Sequence, residues 1–299
     1  MSGPDEGWTA KVTSWANARS DIKALVQIGS RVQEGAAVDE WSDHDYQLIT
    51  SDPQRYGSGA FARELGPCWA FGCDHAFGNV VKVTAVFEGG LEADFVILSH
   101  AKLALATTAL AWPSTEALWP RSLVAGVRDL RIVAAPGWKV IKGGATWERR
   151  YSRIKPYLPV MDQAEFASVC GVFWVQLVWA AKKAQRGECI ASQRAFHRTL
   201  VENSLRMQRE EALLAGKKAY PLGRRAEQWL TPAQRIGRSM PTQAERDVLL
   251  TAIRLIAEEF IGFSASVAAK RGFASENYTR IVAWLAQLDH SRGSSRTLG

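Results

Sequence analysis

Three acids in this chain, Asp43, Asp45 and Asp94, are spaced so that folding can bring them to one point. The first two lie at the mouth of an apolar run, DHDYQLIT, that reads as a strand. Alternate residues on a strand share a face, roughly 7 Å apart in Cα, so both carboxylates aim at one point. A further strand, Asp94-Phe95-Val96-Ile97-Leu98, can deliver Asp94 to the same place. Carboxylates gathered this way can bridge two divalent metals about 3.5–4 Å apart, one activating an attacking oxygen and the other steadying a triphosphate. Phosphoryl and nucleotidyl transfer need mostly positioning and charge neutralisation, so little else is asked of the protein. Upstream, the segment 22–31 (IKALVQIGSR) is an apolar strand that stops at Gly29-Ser30 in a tight turn. Free N–H groups of such a turn can cradle a phosphate. Ser30 is expected to cap a short helix there, with Gln33 completing an S-x-x-Q box. Taken singly, a Gly-Ser turn or a D-x-D is ordinary surface; the conjunction is what points to metal and phosphate.

The elements that must position these residues follow from periodicity and turn signals. A first helix over 5–18 leads into the strand at 22–28, and a strand follows over Asp43–Thr50. Asp52 before Pro53 opens a helix over 53–64. Strands near 68–73, 79–87 and 91–98 come next, the last two joined by the hairpin signal Glu88-Gly89-Gly90. Residues 100–111 read as helix, the stretch 121–135 ends in a β-rich RIVAA, and Gly143-Gly144 marks a break. Beyond about Pro159 strand signals vanish, and helices are expected at 161–185, 189–214, 224–238, 242–270 and 275–289. Apolar stripes such as Leu249, Ile253, Ile256, Phe260 and Phe263 pack these into a bundle. The segment 290–299 is Ser/Arg/Gly-rich and expected to be disordered. Trp41 is expected to pack beneath the acids and Trp69 in the core, while His197 reads as structural or exposed.

Composition sets bounds. With 299 residues, 47% hydrophobic and 22% charged, the chain reads as an ordinary soluble protein of two domains. The start, MSGPDEGW, does not resemble a signal peptide. The apolar run 167–181 is too short for a span, so no membrane association is expected. Four cysteines do not suggest a disulfide framework, and Cys68, Cys73 and His75 lack the fourth ligand of a zinc set. A cytoplasmic monomer is therefore the expectation. Charge is uneven, with a net of −2 over residues 1–150 and +9 over 151–299.

The order GSR…SDxD…D resembles the nucleotidyltransferase superfamily typified by DNA polymerase beta. Within it, GSRVQEGAAVDEWSDHDYQLIT resembles the streptomycin-modifying aminoglycoside 6-adenylyltransferases. The resemblance continues through VTAVFEGGLEADFVIL (83–98), and more loosely through VFWVQLVWAAKKAQRGE (172–188), SLRM (204–207) and Gly223-Arg224-Arg225 before Trp229-Leu230. It implies an α+β fold: an N-terminal nucleotidyltransferase catalytic domain over 1–158, with a mixed β-sheet and flanking helices, then an all-α helical substrate-binding domain over 159–289. It implies transfer of AMP from ATP to a hydroxyl of a small, aminoglycoside-like acceptor, with Asp43, Asp45 and Asp94 holding Mg²⁺. Gly29, Ser30 and Arg31 would meet the nucleotide, although Arg31 reads equally as a solvated surface residue. Lys182, with Lys183 and Arg186, would face the triphosphate or form a solvated helix end. The family's general base is an acid near the position of Arg194 here, so Glu188 is the candidate base, with Glu165 and Glu202 behind it. The basic second half leaves RNA, a tRNA end, as an alternative acceptor, with protein as another; a nucleotide-binding relic is the non-enzyme alternative.

Overall fold

The computed structural model describes residues 4–33, 38–39, 41–76, 80–135, 137–155, 160–220, 223, 225–231 and 240–288. The chain divides into two compact units, Met1–Pro159 and Val160–Gly299.

Among its described residues the first unit has six strands: β1 (Ile22–Ile28), β2 (His44–Thr50), β3 (Cys68–Ala76), β4 (Val80–Phe87), β5 (Glu92–Ser99) and β6 (Trp138–Lys142). They form a single mixed sheet in the order β3-β4-β5-β2-β1-β6. Of these strands β2 and β5 pair in parallel, and the other neighbours are antiparallel. Strand alternation sends side chains to two different cores. Leu25, Tyr46, Leu48, Val83, Ala85, Phe95 and Ile97 enter one core, with Trp8, Val12 and Trp15 of helix α1 (Pro4–Asn17). Ala24, Val26, Ile28 and Ile49 enter the other, beneath helices α3 (His100–Ala109), α4 (Arg121–Ala134) and α5 (Gly144–Tyr151). Each large side chain so buried contributes about 1.5–3 kcal/mol. At the end of α1, Lys142 Nζ donates to the carbonyls of Ala16 and Arg19 at 2.7 and 2.8 Å, where orphan acceptors favour a cation.

Three expectations change here. The RIVAA stretch is helical, because Val127, Leu130 and Ala134 recur on one face of α4 and bury together; packing overrides the β propensity of its residues. The helix expected over 53–64 is a short helix, α2 (Pro53–Gly57), and a separate 3₁₀ turn, Ala60–Glu64, parted by Gly59 at φ 74°. Asp52 does cap α2, accepting from the Arg55 amide at 3.4 Å. Trp69 is not core but 64% exposed. The β3–β4 register shifts between Cys68 and Ala70, and such a bulge re-aims the extra side chain.

The second unit is helical among its described residues: α6 (Gln163–Gln185), α7 (Cys189–Ala195), α8 (Val201–Leu214), α9 (Ala226–Trp229), α10 (Arg246–Arg271) and α11 (Thr279–Gln287). Asp162 caps α6 by accepting from the Glu165 amide at 2.8 Å. A π-helical turn, Phe196–Leu200, joins α7 to α8. Phe173 and Phe260 stack at 3.6 Å between α6 and α10, and Trp174 meets Phe260 edge-on. By length and composition α6 is apolar enough to cross a membrane, with 44% of its most apolar window buried in the unit. Of the helix expected at 224–238 only α9 is seen; 232–239 and the tail 290–299 lie outside the described residues.

Candidate functional site

The β2–β5 register sets Asp45 directly beside Asp94. Because Tyr46, Leu48, Phe95 and Ile97 all point into the α1-side core, their neighbours Asp45 and Asp94 must point to the opposite face. Asp43 stands one residue ahead of β2. One carboxylate oxygen from each of Asp43, Asp45 and Asp94 lies within 4.8 Å of the others, the one such His/Cys/Asp/Glu group among the described residues. Asp94 is buried, while Asp43 and Asp45 are partly open. Three hard oxygen donors converging this tightly, one of them withdrawn from water, fit a divalent cation such as Mg²⁺.

The chain leaving β1 turns into this site at Gly29, whose φ of 81° and ψ of −157° suit glycine alone. A Cβ there would meet Asp45 Oδ2 at 2.1 Å, so the missing side chain is what lets the turn pass the acid. Ser30 begins a single 3₁₀ turn, Ser30–Val32, rather than capping a helix. The S-x-x-Q box does not form: Gly29 holds the cap position, and Gln33 gives its backbone N–H to the Ser30 carbonyl at 3.3 Å. Gly137, at the start of β6, lets that strand approach the turn, where a Cβ would sit 2.7 Å from the Val32 carbonyl.

Arg31 tightens the loop on the other side. Its Nε donates to the Asp43 carbonyl at 2.9 Å and its Nη2 to the Ser42 carbonyl at 2.5 Å. The guanidinium therefore holds the main chain that carries Asp43, which is a positioning role. Ahead of it, the Asp39 carboxylate accepts from the Trp41 amide at 3.1 Å and the Ser42 hydroxyl at 2.9 Å. This turn puts Trp41 at its tip, 86% exposed, and not beneath the acids as its place in the sequence suggests. Below the acids, the buried Tyr151 hydroxyl donates to Gln47 on the same face of β2.

Two residues of this site escape a sequence reading. Thr84 stands opposite Asp94 across β4–β5 and donates its hydroxyl to Asp94 Oδ1 at 2.5 Å. Lys82, two residues earlier on the same face, places Nζ 2.5 Å from Asp94 Oδ2. Burial lowers the Lys82 pKa, but the hydrogen bond and charge of Asp94, with Asp45 and Asp43 behind them, outweigh it and hold the pKa above the ordinary lysine value. A signal existed: Val83, Ala85 and Phe87 alternate as the buried face of β4, leaving Lys82 and Thr84 opposite, and the 88–90 hairpin then pairs them with β5.

The remaining candidates belong to the second unit. Lys182 is exposed in the last turn of α6. Glu188 stands before α7 and is paired with Lys183 at 2.5 Å and Arg186 at 3.1 Å. The Lys183 hydrogen bond leads in drawing its pKa below the ordinary value; desolvation opposes it, and the charges of Lys183 and Arg186 add to the lowering. Glu165 pairs with Arg206 at 2.5 Å, and Glu202 is exposed. Arg194 lies exposed on α7, and exposed His197 faces the Pro241 carbonyl at 3.1 Å. Cys68, Cys73, Cys170 and Cys189 are all free thiols.

No protein-family model and no curated protein matches the chain. Among solved structures the chain is similar to an aminoglycoside 6-adenyltransferase from Bacillus subtilis, over 93% of this chain and 96% of that one, at 12% identity and a TM-score of 0.43. It is also similar to a nucleotidyltransferase-like protein from Exiguobacterium sibiricum 255-15, over 99% and 96%, at 12% identity and a TM-score of 0.36. Likenesses this distant carry no weight for the chemistry, which stands on the acids themselves.

Proposed function

We propose that the chain is a nucleotidyltransferase that moves AMP from ATP to a hydroxyl of a small, aminoglycoside-like acceptor. The observation that carries the reading is the convergence of Asp43, Asp45 and Asp94, with oxygens within 4.8 Å of one another beside a glycine turn. Asp43, Asp45 and Asp94 would hold Mg²⁺, as a pair of ions in the two-metal scheme. Bound there, Mg²⁺ would supply charge neutralisation and polarisation at the α-phosphate. Ser30 and the Gly29 turn would meet the triphosphate, with Lys182 as a further cation for it. The acceptor oxygen forms a bond to the α-phosphorus, the bond to the bridging oxygen breaks, and pyrophosphate leaves. Glu188 is the proposed acceptor of the hydroxyl proton. Its ion pairs keep it ionised, the state a base needs, at the expense of basicity. The first unit would thus be catalytic and the second would take the acceptor, in a cytoplasmic, monomeric enzyme.

A second reading keeps the acids and makes the acceptor RNA, favoured by the net +9 of residues 151–299. One experiment separates them: Mg²⁺-dependent pyrophosphate release from ATP with streptomycin, other aminoglycosides or total tRNA, using wild type and Asp45→Asn. Release with an aminoglycoside alone, lost in the variant, supports the first reading. Release with tRNA alone supports the second, and no release with any acceptor sinks both.

A further inference from the structure

Asp94 has both of its oxygens engaged. Oδ1 takes the Thr84 hydroxyl and Oδ2 takes the Lys82 ammonium, each at 2.5 Å. A buried carboxylate demands a cation, since an unpaired charge out of water is strongly unfavourable. Here the chain provides its own. The two partners differ in freedom: the Asp94 side chain is 6% exposed and the Lys82 side chain 36%. The acid is fixed on the parallel ladder, while the ammonium ends a flexible four-carbon stem and is open to solvent. A divalent ion that takes Asp94 Oδ2 meets the Lys82 ammonium 2.5 Å from that oxygen and competes with its charge.

We propose that Lys82 is a resident counter-ion of the acid trio, which a divalent metal must displace to bind and whose freed ammonium is then available to the triphosphate. This rests on the metal-dependent reading above. It follows that metal alone binds weakly and that metal and nucleotide bind with positive coupling, because each makes room or partners for the other. A lysine that merely stapled β4 to β5 would act in the opposite sense, since its loss would loosen Asp94 and weaken metal binding.

The test is Mn²⁺ binding to the full chain, followed by electron paramagnetic resonance with and without a non-hydrolysable ATP analogue. Lys82→Met should bind Mn²⁺ alone about tenfold more tightly than wild type, as removal of one positive charge some ångströms from a divalent ion predicts. The extra tightening on adding the analogue should shrink in the same variant. Lys82→Arg, which keeps the charge, should match wild type in both measurements. Unchanged or weaker Mn²⁺ affinity in Lys82→Met overturns the inference and leaves the nucleotidyltransferase reading standing. Mn²⁺ binding that is no stronger in wild type and Lys82→Met than in Asp45→Asn overturns the metal reading and the inference together.

Discussion

Gly29→Ala is the sharpest test of how the turn serves the acids. The backbone there sits at φ 81° and ψ −157°, a region where a side chain adds about 1–3 kcal/mol of strain. The new Cβ would stand 2.1 Å from Asp45 Oδ2 and 2.9 Å from its Cγ, so either the turn shifts or Asp45 rotates. Overpacking of this kind costs a further ~1–3 kcal/mol. The expected loss is therefore about 2–6 kcal/mol out of a total that rarely exceeds ~15. Rotation of Asp45 would also break up the trio, so Mn²⁺ binding should fall with stability. Urea unfolding and Mn²⁺ titration measure the two effects on one preparation. Gly171→Ala supplies the control: it lies within α6 with open space around its Cβ position, and should gain about 0.5–1 kcal/mol. A loss below about 0.5 kcal/mol in Gly29→Ala, the range of neutral surface changes, or unaltered Mn²⁺ affinity, would refute the reasoning.

Other consequences can be measured independently. Thr84→Val removes the donor to Asp94 Oδ1 while keeping the side chain's shape; metal affinity should fall about 10–100-fold, and calorimetric titration showing no change would exclude an orienting role. Asp21 accepts from the Tyr56 hydroxyl at 2.5 Å and faces Arg55 at 3.7 Å. Burial raises its pKa, but the Tyr56 bond, then its own backbone, Arg55 and Thr50, bring it below the ordinary value. A lowered folded pKa gives stability that is complete above the unfolded value of about 3.9 and fades as pH falls through the folded one. The melting temperatures of wild type and Asp21→Asn should thus differ at neutral pH and converge in acid; a gap constant down to about pH 3 would refute this. In the second unit, Arg271 pairs with the buried Glu210, which also accepts from the Met161 amide at 3.4 Å. Arg271→Met strands that carboxylate and should destabilise the protein by about 3–5 kcal/mol in urea unfolding.

What the sequence revealed and what it hid follow from the range of the forces involved. β1 was legible because an apolar run ending in Gly-Ser has few other solutions, and Asp43, Asp45 and Asp94 were legible because their strands are. Trp41 and Trp69 were misplaced because an indole is a core residue by default. Their exposure is decided by an Asp39-centred turn and by a register shift at one strand edge, details with no sequence period. RIVAA failed for a related reason: β-branched residues favour a strand locally, but Val127, Leu130 and Ala134 bury a helical face against the sheet. Lys82 and Thr84 were hidden by their own ordinariness, since a Lys-x-Thr on a strand has chemical meaning only once its partner across the ladder is known.

That Asp45 lies beside Asp94 is set by one feature, the parallel pairing of β2 with β5. Antiparallel neighbours joined by a hairpin find their register from the turn, as β4 and β5 do through Glu88-Gly89-Gly90. β2 and β5 have no such link, so their register must come from the faces they bury. A slip of one residue would turn Tyr46 or Phe95 out of the α1-side core and send one acid into it, exchanging buried aromatic area for a buried charge. The aromatic residues that hold this core together are therefore what keep Asp45 level with Asp94. The β3–β4 hairpin, inserted between these two strands in the chain, uses the same alternation to bring Lys82 and Thr84 against the acid that completes the trio.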